Sequence, residues 1–438
     1  MGIPAQKLDS SNFSAVRFSM RTIHIRKQSQ LRSTSKLCWN QNVDMYDSNK
    51  TQIAISHPSD RNLKRRLARQ KTRGEVFEPL KGYFVRSDRW NAMSKSTRGL
   101  SIIYALAIAH PNWPLMCISA AAVFGVLVPY RRLYEKIHFA TDLHTTTHAR
   151  KNTPSYFHYI ANSRPAESHE LVSRGKIDMS ISEDPQSLAT TYKPINEVVG
   201  ICNGILVTSP MQTIFDCLRM LPFDYALPIC DVLSRLFSIS YEEILGFCSK
   251  RRNHWRVSLV RYRCKFIDPK SENFAESLAR ARMISAGFVV PKLQVEFRNP
   301  FAHLHPKNSS TFQTSHVLRT DFVWNQQDKS SGMPLIIAEL DGRGKYCDPT
   351  MLKSQNASDG VDVLLRQHDR ENALLLLGAV IIRFQSSESF YNRGKAMLSK
   401  LGIAGVPKVR RSEQSKRARL LLPQLGHRIL HKLLRVGI

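Results

Sequence analysis

The stretch from Pro334 to Asp341 constrains the fold most. Leu335-Ile336-Ile337-Ala338 is wholly apolar, and the next residues put Glu339 and Asp341 one residue apart. Pro334–Leu340 reads as a short apolar strand with carboxylates at its end. Phe274–Ala286 reads as a helix closed by Gly287, and Leu293–Phe297 and Leu318–Trp324 read as strands. Val361–Leu377 reads as a helix stopped by Gly378, followed by a strand over Val380–Phe384. The order helix, strands, helix, strand predicts an α/β sheet domain over 261–395.

The preceding segment, 94–260, reads as a helical and mixed middle domain. Gly99–Ala109 and Cys117–Leu127 are apolar helices rich in small residues, separated by His110-Pro111-Asn112-Trp113-Pro114. Neither arm reaches the ~20 apolar residues that cross a bilayer, so both are expected in a globular core and no transmembrane segment is expected. Thr208-Ser209-Pro210 supplies an N-cap with proline just inside a helix start. Phe223–Leu236 reads as a further helix. No catalytic constellation stands out here. The cysteines at 38, 117, 202, 217, 230, 248, 264 and 347 form no CxxC pair, and they read as small buried hydrophobes in a reducing cytoplasm.

Charge narrows the partner. Sixty-four Lys and Arg against thirty-five Asp and Glu leave +29 over 438 residues, which predicts a polyanion, nucleic acid before an anionic membrane. At about 150 residues per domain the length predicts roughly three domains, or two with long extensions, and the elements read above make the expected class multidomain α+β. Residues 1–55 are basic and rich in Ser, Asn and Gln, and read as a disordered arm, with Met45 as an alternative start. No secretory signal is expected, and an organelle presequence stays open. Residues 56–93 read as a winged-helix-like DNA-binding segment. Asp60 can cap a helix and Gly74 can stop it, and between them stand Arg61, Lys64, Arg65, Arg66, Arg69, Lys71 and Arg73 with no acid from Arg61 to Arg73. Two short strands around Pro79-Lys81-Gly82 follow, with Lys81 at the tip. Such a helix would enter a groove while the hairpin touches phosphates. The upstream helices of a complete winged helix are not evident. Residues 396–438 form a basic amphipathic tail that either docks on the body, binds a partner or lies on a membrane.

Chemistry is concentrated at the end of the apolar strand. Side chains alternate along a strand, so Ile337, Glu339 and Asp341 share a face. Two adjacent carboxylates repel, and a divalent cation would relieve the repulsion. Asp321 on a neighbouring strand would complete an oxygen cage for Mg²⁺, which could activate water at a scissile phosphate, with Lys345 assisting. The alternative is a pair of ordinary strand-end acids. Arg366 and Arg370 share a helical face, either on DNA phosphate or paired with Asp362, Asp369 or Glu371. His368 is a candidate general base or an ordinary solvated residue, and Arg383 is a candidate partner of the acids.

These residues carry a resemblance. Asp321-Phe322-Val323-Trp324, Glu339-Leu340-Asp341-Gly342 with Lys345-Tyr346, the helix Leu365–Leu374 and the strand Val380–Phe384 resemble the restriction-endonuclease-like domain of the very-short-patch-repair type. The resemblance spans about residues 272–386 and implies a PD-(D/E)xK core. It implies catalytic roles for Asp321, Glu339, Asp341 and Lys345, and it puts Glu276 of Ala275–Arg280 at the acidic position of the first helix. The position where the motif's lysine would stand holds Asp341. Gly204–Asp216 is similar to a segment of actinobacterial proteins of the AbiEi antitoxin type, whose order is winged helix, middle domain, nuclease-like domain. Two functions are therefore expected. One is a cytoplasmic DNA-binding protein with a Mg²⁺-dependent endonuclease domain. The other is a non-catalytic, antitoxin-like transcriptional regulator with a degenerate nuclease fold and a cognate toxin.

Overall fold

The computed structural model describes residues 61–126, 136–143, 155–164, 185–302, 316–324, 334–341 and 360–422. It is a mixed α+β protein with small sheets. The chain forms two compact units that part at Ser94. The arm over 1–55 and the end of the tail, 423–438, lie outside the described residues.

In the first unit, the helix Arg61–Thr72 precedes a hairpin of Val76–Leu80 and Tyr83–Arg86 and a short helix, Ser87–Ala92. Leu67, fully buried on the basic helix, packs on Val76 and Phe84. The helix ends as its sequence predicts. Gly74 takes φ +75°, Glu75 N–H donates to Gln70 O at 3.0 Å, and Gly74 N–H donates to Lys71 O at 3.0 Å. That pair of bonds is a Schellman closure, which needs a residue tolerant of positive φ. The hairpin ladder is irregular between Phe77 and Leu80, where Pro79 has no N–H to give. Phe77 stacks on Trp90 with ring centroids 5.0 Å apart.

The second unit begins with the helix Lys95–Ala109, buried from Ile102 to Ala107, and the fully buried helix Cys117–Val123. No helix among the described residues is long and apolar enough to cross a membrane. Leu115 sits between two small sheets. It bridges Phe139 of the parallel pair Ile137–Thr141 and Ser155–Tyr159, and Val207 of the antiparallel Lys193–Pro194, Val199–Cys202, Ile205–Thr208 set. Ser209 caps Pro210–Met220 by accepting from Gln212 N–H at 3.2 Å. Cys117, Cys202, Cys217, Cys230, Cys248 and Cys264 are free and buried. Cys38 and Cys347 lie outside the described residues.

The C-terminal sheet has strand order Ala379–Gln385, Leu335–Asp341, Val317–Trp324, Lys292–Arg298. The first pair is parallel and the other two are antiparallel. A parallel pair needs a long crossover, supplied here by a connection carrying the helix Gly360–Leu375. Alternation sends Ile336, Ala338 and Leu340 to one face, against Ala279 and Met283 of Phe274–Ser285 and Met397 and Leu401 of Lys395–Ile403. It sends Ile337 to the other face, against Ala373 and Leu374. Both faces are therefore covered, and the central strand is buried except at its ends.

The expected border at 260 falls inside this packing. Arg280 of the helix Phe274–Ser285 is 1% exposed and meets Asp231 of Phe223–Phe237, itself 0% exposed, at 2.6 Å. The Asp231 carboxylate also accepts from Ser277 Oγ at 2.7 Å and from Asp268 N–H at 2.9 Å. The tail docks over its described part. Arg417 of Arg411–Leu421 is buried and donates to Ile284 O at 3.2 Å and Phe288 O at 2.7 Å, carbonyls at the end of the helix Phe274–Ser285. Fully buried Arg263 closes another helix end by donating to Leu218 O at 2.7 Å and Leu221 O at 2.8 Å. Orphan helix carbonyls are thereby paired with buried guanidinium groups, which need several acceptors each.

Candidate functional site

The acidic residues come from the sheet. Glu339 and Asp341 end the central strand, and the parallel register sets Glu339 opposite Arg383 and Asp341 opposite Gln385. Adjacent parallel strands bring Arg383 within reach of both acids. Its Nε donates to Asp341 Oδ2 at 2.9 Å and its Nη2 to Asp341 Oδ1 at 3.0 Å, a two-pronged pair. The same Nη2 lies 3.3 Å from Glu339 Oε2. Arg370, from the helix Gly360–Leu375, donates to Glu339 Oε1 through Nη2 at 2.6 Å and Nε at 3.2 Å. Gln367 Nε2 donates to Asp341 Oδ1 at 3.2 Å. Glu371 stands 3.6 Å from Arg383 Nη1.

Asp321 does a different job. The antiparallel ladder between its strand and the central strand runs from Ile336↔Trp324 to Ala338↔Phe322. Just past that point Asp321 Oδ2 accepts the Leu340 N–H at 2.8 Å. The carboxylate thus continues the sheet where backbone pairing stops. Glu276 is 4% exposed and sits in the first turn of its helix. It accepts from Glu272 N–H at 2.9 Å, from Asn273 Nδ2, and from Gln294 Nε2 at 3.4 Å. A carboxylate there satisfies N-terminal donors and suits the positive end of the helix. Gln294 takes φ +52° in the edge strand, where the register of that strand with its neighbour passes over it.

The Mg²⁺ cage expected from the sequence would draw on these same carboxylates. Among the described residues, no group of three or more His, Cys, Asp or Glu side chains is arranged to hold a metal ion. Glu339 and Asp341 bring two negative charges and Arg370 and Arg383 two positive ones, so mutual repulsion is relieved without a cation. Mg²⁺ demands several oxygen ligands at short range, and Asp321 is turned to the Leu340 amide. The described residues do not fit the ion. Lys345 lies outside the described residues, as does the side chain of Arg366. Arg370, expected on phosphate or on Asp362, Asp369 or Glu371, is drawn to Glu339 on the neighbouring strand instead. His368 is exposed and pairs with Asn372 Nδ2 at 3.1 Å. Gln367 and Gln294 were not singled out by sequence, since an uncharged amide gives no signal of its own.

The expected nucleic-acid residues of the first unit are arranged differently. Arg61, Arg65, Arg66, Arg69 and Arg73 are exposed on and just past the basic helix, and Lys81 is exposed at the hairpin tip. Lys71 is tied to Glu78 at 2.6 Å, and Glu78 also accepts the Gly82 N–H at 2.7 Å. Lys71 therefore braces the helix against the hairpin. The side chain of Lys64 lies outside the described residues.

No protein-family model, curated protein or solved structure matches this chain. The resemblances above rest on residue order alone.

Proposed function

We propose that this chain is a DNA-binding protein with a restriction-endonuclease-like sheet domain that does not cut. The observation that carries the reading is the clasp of Arg383 and Arg370 on Asp341 and Glu339, at 2.9 and 2.6 Å for the shortest contacts. Arginine cannot be deprotonated at neutral pH, so the two cations stay in place where a nuclease of this type would hold its metal. The chain order helix, three antiparallel strands, helix and parallel strand supports the scaffold half of the reading. The DNA half is supported by the +29 charge and by the basic helix, whose buried residue points to the hairpin and whose arginines point outward. Such a protein would act as a repressor or antitoxin-like regulator, and a cognate toxin is the partner that the sequence resemblance suggests.

A second reading, a metal-dependent endonuclease, is favoured by one observation. Glu339 and Asp341 end a strand that is hydrogen-bonded to the strand of Asp321. One experiment separates the two. Duplex and supercoiled DNA are offered to the wild type and to Asp321→Ala/Glu339→Ala with Mg²⁺, Mn²⁺ or EDTA, and both binding and cutting are read. Binding that weakens steeply with salt, without cutting, is the expected result. Metal-dependent cutting lost in the double variant overturns the non-catalytic reading. Absence of any binding removes both.

A further inference from the structure

The turn between the helices Tyr241–Lys250 and Val257–Arg263 carries a second feature that the sheet domain and the basic helix do not use. From Ile244 to Ile267 the chain has seven Lys and Arg and no Asp or Glu. Arg252, Asn253, His254, Trp255 and Arg256 are all exposed, and Trp255 is 60% exposed. Among the described residues it is the exposed tryptophan; Trp90 and Trp324 are buried.

The ring is held rather than loose. The Arg256 guanidinium lies 4.1 Å from the Trp255 ring centroid, and its Nη1 donates to Arg219 O at 3.2 Å, an anchor on the neighbouring helix. Arg256 adopts φ +59°, a left-handed conformation that turns the chain between the two helices. Arg251 is stacked over Phe247 at 3.5 Å. At 60% exposure most of the indole faces water rather than the core. A protein-docking patch needs contiguous apolar surface, whereas the neighbours of Trp255 in the turn are Arg251, Arg252, Asn253, His254 and Arg256. An aromatic platform flanked by cations is what unpaired bases on a phosphate backbone require: the base stacks and the phosphates meet the guanidinium groups.

We infer that the 250–256 turn is a binding site for single-stranded nucleic acid, with Trp255 as the stacking platform and Arg252 and Arg256 as its phosphate contacts. The inference deepens the DNA-binding reading and rests on it for the class of ligand. In a duplex the bases are stacked on one another, so this site selects a melted, looped or terminal strand, a ligand different from that of the duplex-directed basic helix.

The test uses the full chain with an oligo(dT) strand and with a duplex of equal length, read by fluorescence anisotropy of the labelled nucleic acid. Trp255→Ala is expected to weaken oligo(dT) binding by about 5- to 150-fold, the worth of one stacked base, and Trp255→Phe to recover much of it. Duplex affinity should stay within about twofold in both variants, because phosphate contacts from the basic helix dominate there. Arg65→Ser/Arg69→Ser should show the opposite pattern. Oligo(dT) binding unchanged in Trp255→Ala overturns the site. A wild type that binds duplex and ignores oligo(dT) also overturns it while leaving the DNA-binding reading intact, and a wild type that binds neither removes both. The exposed position of Trp255 makes an unchanged melting temperature the expected control.

Discussion

The Arg383 guanidinium lies along the Asp341 carboxylate, with Nε 2.9 Å from Oδ2 and Nη2 3.0 Å from Oδ1. The two residues are 42 apart in sequence and meet because their strands run parallel in adjacent positions. Asp341 and Glu339 have side chains 18% and 9% exposed, so water does little of the screening that Arg383 and Arg370 provide.

Arg383→Met should therefore cost about 1–3 kcal/mol of stability, since it strands two carboxylates with one remaining guanidinium. It should also open the acidic pair to a cation. Thermal unfolding with and without Mg²⁺ or Mn²⁺ is the check. The midpoint is expected to rise with metal in the variant and to stay put in the wild type. A wild type that shifts as far as the variant would show that arginine does not exclude the ion.

Arg280→Met should be the more damaging change, by about 3–5 kcal/mol, because it leaves Asp231 as an uncompensated charge in a fully buried site. Burial pushes the Asp231 carboxyl up and Arg280 pulls it down, so the pair depends on both members. The double change Asp231→Leu/Arg280→Met should cost less than the sum of the single changes. Urea unfolding of the three variants tests this, and strict additivity would mean the pair is not coupled.

Acid should loosen the paired strands Ile137–Thr141 and Ser155–Tyr159. His138 Nδ1 and His158 Nε2 are 2.9 Å apart, so both rings cannot carry a proton comfortably. Burial, then His158 and Lys136, lowers His138 from its ordinary 6.5 to about 3. Burial, then Arg219 and Lys136, lowers His158 to about 4. The folded values lie below the unfolded one, so the unfolded chain binds protons first as pH falls. The pair costs no stability above about pH 6.5, and the fold weakens from there down toward pH 3, with His158 levelling off near 4 and His138 near 3. The midpoint of His138→Phe/His158→Phe should fall less steeply over that window, and parallel curves for variant and wild type would show that the pair is not responsible.

Local signals were the legible part of this fold. Gly287 and Gly378 end helices in sequence and take φ +85° and +74° in space, because only the few residues before each glycine decide that geometry. The basic helix and its hairpin, the Ser209 cap and the alternation along Leu335–Asp341 follow from periods of a few residues as well. The tail left three destinies open, and buried Arg417 and Leu421 resolve its described part as docking.

By itself, then, the sequence determined the order of the helices and strands from Phe274 to Phe384, the glycine stops of its two helices, and that Glu339 and Asp341 share a face, whereas the small sheets between Ile137 and Thr208 gave no such signal. Only the tertiary structure decided what those acids meet. Arg370 and Arg383 lie 31 and 42 residues downstream of their partners, and sheet register and the packing of a crossover helix put them there. It likewise decided that Trp255 faces water, since a basic run with one indole has the same local pattern whether the ring is buried or presented. Charges act through space and periodicity acts along the chain, so spacing could mark the carboxylates and could not choose between a metal ion and an arginine beside them.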